Sequence, residues 1–353
     1  MRKNALAMTL SKGIIPASNL MTKKTSPHSR LWAIVKAIFA VALIGFTVSR
    51  TDLRQILSLR DHIVWKWLLI YSLLYFSLTM LKAYQYRRLL NLPIPYWRML
   101  SIVVLQNGIS NILANSAGIA SYLVMMRAEE GISAGRAALV FIITKVGDLF
   151  AIWIALFVTS AVIWNRLPEM HGTIVTLQLT IGAPLFGFLL LVFLRQRLTS
   201  LIRFVLKKTR LIKIPIIGKG MRGLEALVNE KHGSLFEMTV TALVLSSFYF
   251  FVTILWYVAQ MRLFSVPLDF VSIAFVTTIL QMIAFLPIAI LGGLGIVETS
   301  WIYLYGLVGA EPESFPADLI GLRALFYIIN LVVLLYLPIY SFFDARREQN
   351  QET

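Results

Sequence analysis

Cysteine is absent from the 353-residue chain, so disulfides and thiol catalysis are both excluded. Histidine is scarce: His28, His62, His171 and His232 stand far apart without ligand spacing, which argues against a metal site. Charged residues make up only 14% of the chain, against about a quarter in soluble domains, so most of the surface faces something other than water. The sequence has no D-x-D and no G-x-S-x-G, and Gly218-Lys219-Gly220 lacks the spacing and the Ser/Thr of a Walker A loop. ATP drive is therefore unsupported, and no cofactor is expected. Strict period-2 alternation is missing as well, which removes a β-barrel.

What the chain does have is long apolar runs. Leu31–Ser49, Trp65–Leu81, Ala137–Trp164, Thr173–Leu194, Val240–Gln260 and Leu319–Phe343 each approach or exceed the roughly 20 residues a helix needs to cross hydrocarbon. Shorter or interrupted runs lie at Leu100–Ala114, Phe270–Ile290 and Ile296–Val308. The class is an all-α polytopic membrane protein. Residues 1–30 carry six Lys/Arg and no acid, and the run after them is too long for a signal-peptide core and lacks a small-residue cleavage site, so Leu31–Ser49 reads as a permanent span. One transmembrane domain covers 31–343, with a basic loop at 195–238 joining two halves and a tail at 344–353.

Lysines and arginines set the orientation. They gather in 1–30, in 82–98 (Lys82, Arg87, Arg88, Arg98), in 195–238 and at Arg346 and Arg347. Segments 165–172 and 262–269 have one each, Arg166 and Arg262, and 310–318 carries only acids, Glu311, Glu313 and Asp318. The positive-inside rule places the first group in the cytoplasm and the second outside, with both termini cytoplasmic in an inner cell membrane. Segment 50–66 conflicts, with Arg50, Arg54, Arg60 and Lys66 on the outer side; an interfacial helix is one way to seat it. Leu198, Leu201, Ile202, Val205 and Leu206 follow helical spacing beside Arg197, Arg203, Lys207 and Lys208. This is either a basic amphipathic helix on anionic lipid or a solvated linker. The charge of +16 spread this way implies a membrane partner and no nucleic acid.

With 82–98 and 124–136 on one side, the chain between them must dip and return. With 262–269 and 310–318 on the other, 270–309 must do the same. The expected architecture is about six full transmembrane helices plus two oppositely oriented re-entrant hairpins, arranged like inverted repeats. A loose internal echo agrees: residues 106–118 read QNGISNILANSAG and 281–293 read QMIAFLPIAILGG, each with a Gln twelve residues before a Gly. Asn115-Ser116-Ala117-Gly118 and Gly292-Gly293-Leu294-Gly295 suit hairpin tips, where irregular backbone must be buried in protein or line a polar cavity. Ordinary packing turns within full spans are the alternative.

Asn107, Asn111 and Asn115 recur every four residues as a polar stripe, beside a small-residue stripe of Ser110, Ala114 and Gly118. The small stripe reads as close helix packing. The asparagines fit either inter-helix hydrogen bonds or donation to phosphate oxygens. Lys145 and Asp148 share a helix face mid-span, where an uncompensated charge costs at least about 2.5 kcal/mol; they either neutralise each other or line a polar path. Arg323 and Glu298 lie near a span end and a tip, placed for a pocket or for snorkelling to the interface. A half-helix starting near Gly295 points free N–H groups inward, a natural anion site. Arg127, flanked by Glu129 and Glu130, reads as a solvated loop charge.

Two blocks carry a family resemblance. Asn111 to Leu149, with Gly118, Arg127, Gly131 and Lys145-Val146-Gly147-Asp148-Leu149, resembles the first signature of the lysylphosphatidylglycerol synthase transmembrane-domain family. Pro287, Gly293-Leu294-Gly295-Ile296-Val297-Glu298 and Arg323 resemble the second. Asn115 and Ala117-Gly118 stand where that family has Pro and Gly-Gly, and Lys145 where it has Arg. The resemblance implies a flippase-like membrane domain, with Gly118, Arg127, Gly293, Gly295 and Glu298 joining the headgroup site, and without the soluble aminoacyl transferase of fused members.

The expected function is therefore a lipid translocase moving an anionic or polyprenyl-linked phospholipid headgroup between leaflets, and not an enzyme. The rivals are an accessory subunit of a separately encoded lipid-modifying enzyme or glycosyltransferase, and a small-anion transporter.

Overall fold

The computed structural model describes residues 63–112, 115–193, 232–285, 296–310 and 315–343. Among these, all regular structure is helical: α1 (Trp65–Leu90), α2 (Tyr96–Ile112), α3 (Asn115–Glu130), α4 (Ala134–Ile163), α5 (His171–Phe193), α6 (His232–Leu263), α7 (Phe270–Phe285), α8 (Ile296–Leu307) and α9 (Phe315–Leu334). Five stretches are long and apolar enough to cross a membrane: Trp65–Leu90, Ala134–Arg166, Pro168–Leu190, Leu235–Leu263 and Gly321–Phe343. They match five of the six expected runs. The sixth, Leu31–Ser49, lies outside the described residues, as do the tail 1–30, most of segment 50–66 and of the basic loop, the tip at Gly292–Gly295, and 344–353.

Local chemistry sets the helix ends. Asn91, in the left-handed region at φ 47°, stops α1. The Ser133 hydroxyl accepts from Arg136 N and caps α4. Asp269 caps α7, its Oδ1 accepting from Val271 N at 3.0 Å and Ser272 N at 3.1 Å. Hydroxyls within the helices mostly bond back one turn, as Ser72 does to Leu68 O and Thr278 to Ala274 O, so few polar groups face outward. Large apolar side chains such as Leu69, Phe157, Leu179, Phe186, Val244 and Phe248 are exposed, a lipid-facing exterior in a chain of this composition.

Contacts at the helix ends fix the directions. At one end, Arg136 Nη2 donates to Leu90 O at 2.9 Å, Arg98 pairs with Glu130, and Tyr336 Oη donates to Trp97 O at 2.9 Å. These join the end of α1, both outer ends of α2 and α3, the start of α4 and the chain just past α9. At the other end, Val64 N bonds Leu263 O at 3.1 Å and Arg166 pairs with Asp269 at 3.2 Å. These join the start of α1 and the ends of α4 and α6 to the start of α7. The α2–α3 pair thus leaves and returns at the first end, while α7 enters from the second. From Phe315 to Tyr336, α9 and its continuation climb about 30 Å to the first end at 1.5 Å per residue. Phe315 therefore sits toward the second end, and α8 leads back there. The inner tips meet: Asn115 Nδ2 donates to Ala284 O at 3.2 Å.

Three expectations are corrected. Segment 82–98 is not a loop: α1 continues to Leu90 and carries Lys82 inside the bundle. Arg127 is on the last turn of a helix, because α3 runs to Glu130. Asn115–Gly118, expected at the first tip, form the opening turn of α3. The physical reason lies at Gly118, where a Cβ would stand 2.7 Å from Gln106 O and closer still to Ser110 Oγ. The glycine is needed for helix-to-helix approach, not for a turn.

Candidate functional site

A cavity of about 580 Å³ lies where the two inner tips meet, enclosed by α1, α4, α6 and α9. The α1 and α6 walls carry polar stripes on otherwise apolar helices, while α4 and α9 contribute one cation each among apolar residues. On α1 the stripe is Tyr75, Thr79, Lys82 and Tyr86; on α6 it is Tyr249, Thr253, Trp256, Tyr257 and Gln260. Both follow the three-to-four residue spacing of one helix face. The α2 arm adds Gln106, Asn107, Ser110 and Asn111, and the α7 arm adds Gln281.

Three cations line the cavity: Lys82, Lys145 and Arg323. Lys82 is deeply buried and fully committed. Its ammonium donates to both oxygens of Asp148, at 2.9 and 3.0 Å, and to Gln85 Oε1 at 3.0 Å. The Tyr249 ring lies 4.1 Å from it. Ser246 Oγ donates to Asp148 Oδ1 at 2.7 Å and accepts from Gln85 Nε2 at 2.8 Å. Gly147 makes this possible, because a Cβ there would stand 2.8 Å from both Ala242 O and Ser246 Oγ. The missing side chain lets α6 press against α4. Lys145, by contrast, is 3.6 Å from Asp148 Oδ2, with 40% of its side chain exposed. Asp148 thus keeps the expected i,i+3 pair with Lys145 but pairs more closely with Lys82, which the sequence did not single out. One carboxylate is flanked by two lysines, and Lys145 is the more accessible of the pair.

The asparagine stripe divides on inspection. Asn111 Nδ2 donates to Tyr75 Oη at 3.1 Å and to Asn330 Oδ1 at 2.8 Å, while Tyr75 Oη donates to Asn330 Oδ1 at 2.6 Å. This ties α1, α2 and α9 together. Asn115 ties the tips, as described. Asn107 lines the cavity and makes no side-chain hydrogen bond among the described residues. Two of the three asparagines are therefore inter-helix bonds, and one is open to a ligand.

The remaining expected site residues scatter. Gly118 packs α3 on α2 and does not line the cavity, and Asp148 reaches it only through its lysines. Arg127 is exposed near the first end and takes no part in the lining. Arg323 lines the cavity with its guanidinium carbon 5.9 Å from the Phe326 ring and 5.3 Å from the Tyr327 ring. Glu298 is the third residue of α8. Gly293 and Gly295 lie outside the described residues.

Residues not anticipated from the sequence supply much of the wall. Gln106 Nε2 donates to Tyr86 Oη at 3.5 Å and Gln281 Nε2 to Tyr257 Oη at 3.5 Å. The two glutamines of the internal echo thus make the same contact, each to a tyrosine on the long helix before its own pair. The profile of the family described as "Lysylphosphatidylglycerol synthase TM region" matches residues 33–334. The chain belongs to that family. No curated protein and no solved structure matches it. Membership in the lysylphosphatidylglycerol synthase transmembrane-region family, with five apolar helices of crossing length, makes this a membrane protein with a lipid-related function. The matched span takes in the whole cavity lining from Tyr75 to Phe326.

Proposed function

We propose that this family member is a lipid translocase that carries an anionic phospholipid or polyprenyl phosphate headgroup across the bilayer, and that it is not itself an enzyme. The observation that carries the reading is the cavity. It carries two lysines, an arginine and several amides and hydroxyls in a largely apolar lining, it lies where the inner ends of two short helix pairs meet, and its bundle is apolar outside. Moving a headgroup requires shielding its charge from hydrocarbon while the tails stay in lipid, and lysines beside a polar path are the costly residues such a path demands.

In this reading the two pairs are re-entrant hairpins entering from opposite faces. At 17 and 16 residues, α2 and α3 measure about 26 and 24 Å, short of the roughly 30 Å core. Six full spans and an inverted repeat follow, with both termini cytoplasmic in the cell membrane. The near-identical Gln106–Tyr86 and Gln281–Tyr257 contacts support the repeat. A separately encoded lipid-modifying enzyme is the expected partner.

Two experiments test this. In liposomes with leaflet-specific labelled phosphatidylglycerol or polyprenyl phosphate, the protein should speed loss of asymmetry; no acceleration with either overturns the translocase. Single cysteines are clean probes of topology, since the native chain has none. A Ser314→Cys thiol should label from outside intact cells, and labelling only after permeabilisation inverts the assignment.

A further inference from the structure

We infer that the headgroup accepted here is a glycosyl phosphate, with its phosphate at the lysines and a hydroxyl-rich ring against an aromatic and amide wall. The inference rests on the translocase reading and deepens it.

The cavity has two chemical levels. Tyr249 stands beside Lys82, and Gln260 lies eleven residues further along α6, about 16 Å away. Lys82, Lys145 and Asp148 occupy the first level. At the second are Trp256, Tyr257 and Gln260, joined by Gln281 through Tyr257 Oη, by Trp301, whose ring centroid is 5.6 Å from that of Tyr257, and by Arg323 over the Phe326 ring that packs on Trp256. A volume near 580 Å³ falls in the range of about 300–1,000 Å³ that encloses whole small molecules rather than single ions.

The second level holds buried polar atoms with nothing to bond among the described residues: Gln260 Oε1, Trp256 Nε1 and Trp301 Nε1. Gln106 Oε1, further toward the lysines, is a fourth. Each amide gives its N–H to a tyrosine hydroxyl, Gln260 to Tyr71 and Gln106 to Tyr86, and leaves its oxygen unmet. A buried site with both unmet acceptors and unmet donors strongly favours a ligand that supplies both. A bare phosphate suits the lysines but is chiefly an acceptor and leaves the glutamine oxygens unmet. An ammonium headgroup serves those oxygens but gives the indole N–H groups no acceptor, and it meets Lys82 and Lys145. Sugar hydroxyls donate and accept, and the C–H face of the ring packs on indole and phenol planes.

The test uses the full-length protein in phosphatidylcholine nanodiscs, competing a fluorescent polyprenyl phosphate with four lipids. These are unlabelled polyprenyl phosphate, its glucosyl ester, phosphatidylglycerol and lysylphosphatidylglycerol. The glucosyl ester should bind at least about tenfold tighter than the bare phosphate, the scale of one or two well-made hydrogen bonds. Trp301→Phe, which keeps a ring and removes the N–H, and Gln260→Leu should each shrink that ratio. Lys145→Met should weaken both lipids together and keep the ratio. Equal binding of the glucosyl and bare phosphates by the wild type, or tighter binding of lysylphosphatidylglycerol, overturns the glycosyl assignment alone. Failure of every anionic lipid to bind removes the translocase reading and this inference with it.

Discussion

The two short helix pairs share a layout and differ in chemistry. They meet at Asn115 and Ala284, and each sends a glutamine to a tyrosine on the preceding long helix. Yet α2 presents Gln106, Asn107, Ser110 and Asn111 to the cavity, whereas α7 presents Gln281 and Ala284. The lysines likewise belong to the first half, on α1 and α4, while the aromatic wall belongs mainly to α6 and α8. Two pairs of similar layout, with both lysines on one side and Trp256, Tyr257, Trp301 and Arg323 on the other, give a ligand two unlike ends to match. A lipid headgroup is asymmetric in the same sense.

The comparison breaks most severely at Asp148. Asp148→Asn strands the Lys82 ammonium in the bundle and should cost about 3–5 kcal/mol, seen as a large fall in thermal unfolding temperature in detergent. Lys82→Met/Asp148→Asn, which removes both charges, should recover most of it. A double variant as unstable as the single would mean that the pair is not what holds the three helices.

Next in size is Gly118→Ala. Its Cβ meets a backbone carbonyl on α2, so overpacking should cost about 1–3 kcal/mol in the same assay. Gly306→Ala, on the second pair, adds its Cβ into open space and should be near neutral. Equal effects would erase the difference in how the two pairs are packed.

Lys145→Met sharpens the lysine comparison. Asp148 keeps Lys82, so stability should stay within about 1 kcal/mol of wild type while lipid transport falls sharply. Full transport by this variant would move the headgroup contact to Arg323.

The smallest effect lies outside the membrane, at Asp269. Partial burial pushes its carboxyl up, but hydrogen bonds from the Ser272 hydroxyl and the Ser272 and Val271 N–H groups, with the Arg166 guanidinium, outweigh that and hold it below the ordinary carboxylate range. A carboxyl lowered on folding stabilises above its unfolded value, about 3.9, and loses that contribution as pH falls through the lower folded value. Asp269→Asn should therefore lower stability slightly at neutral pH, with the difference from wild type closing as pH falls below about 4. The side chain is half exposed, so the change is small.

Much of the fold was legible in hydropathy, because a helix in lipid must satisfy its backbone internally and leaves an apolar run behind. Trp65–Leu81 and Val240–Gln260 were found that way, each short of the true helix because its ends are polar. The site was less legible. Lys82 stood five residues from Arg87 and Arg88 and read as part of an interfacial cluster, although Tyr75, Thr79, Lys82 and Tyr86 repeat at helical spacing. The α6 stripe Tyr249, Thr253, Trp256, Tyr257 and Gln260 offered the same signal but was lost in an aromatic-rich run. Asn107 follows from the stripe and lines the cavity. Asn111 and Asn115 were found too, but distant partners decide their role, and Asn330 and Ala284 are not adjacent in sequence.

The Lys82 ammonium has no proton left to offer, since its donors go to Asp148 and Gln85 and Ser246 closes the circuit. That knot joins α1, α4 and α6, the three longest described helices, at a single depth. Under the proposed alternating access this frame would stay rigid while the two short pairs and α9 move against it. The amide links among those parts, Asn111 to Asn330 and Asn115 to Ala284, would break at far lower cost than the buried ion pair.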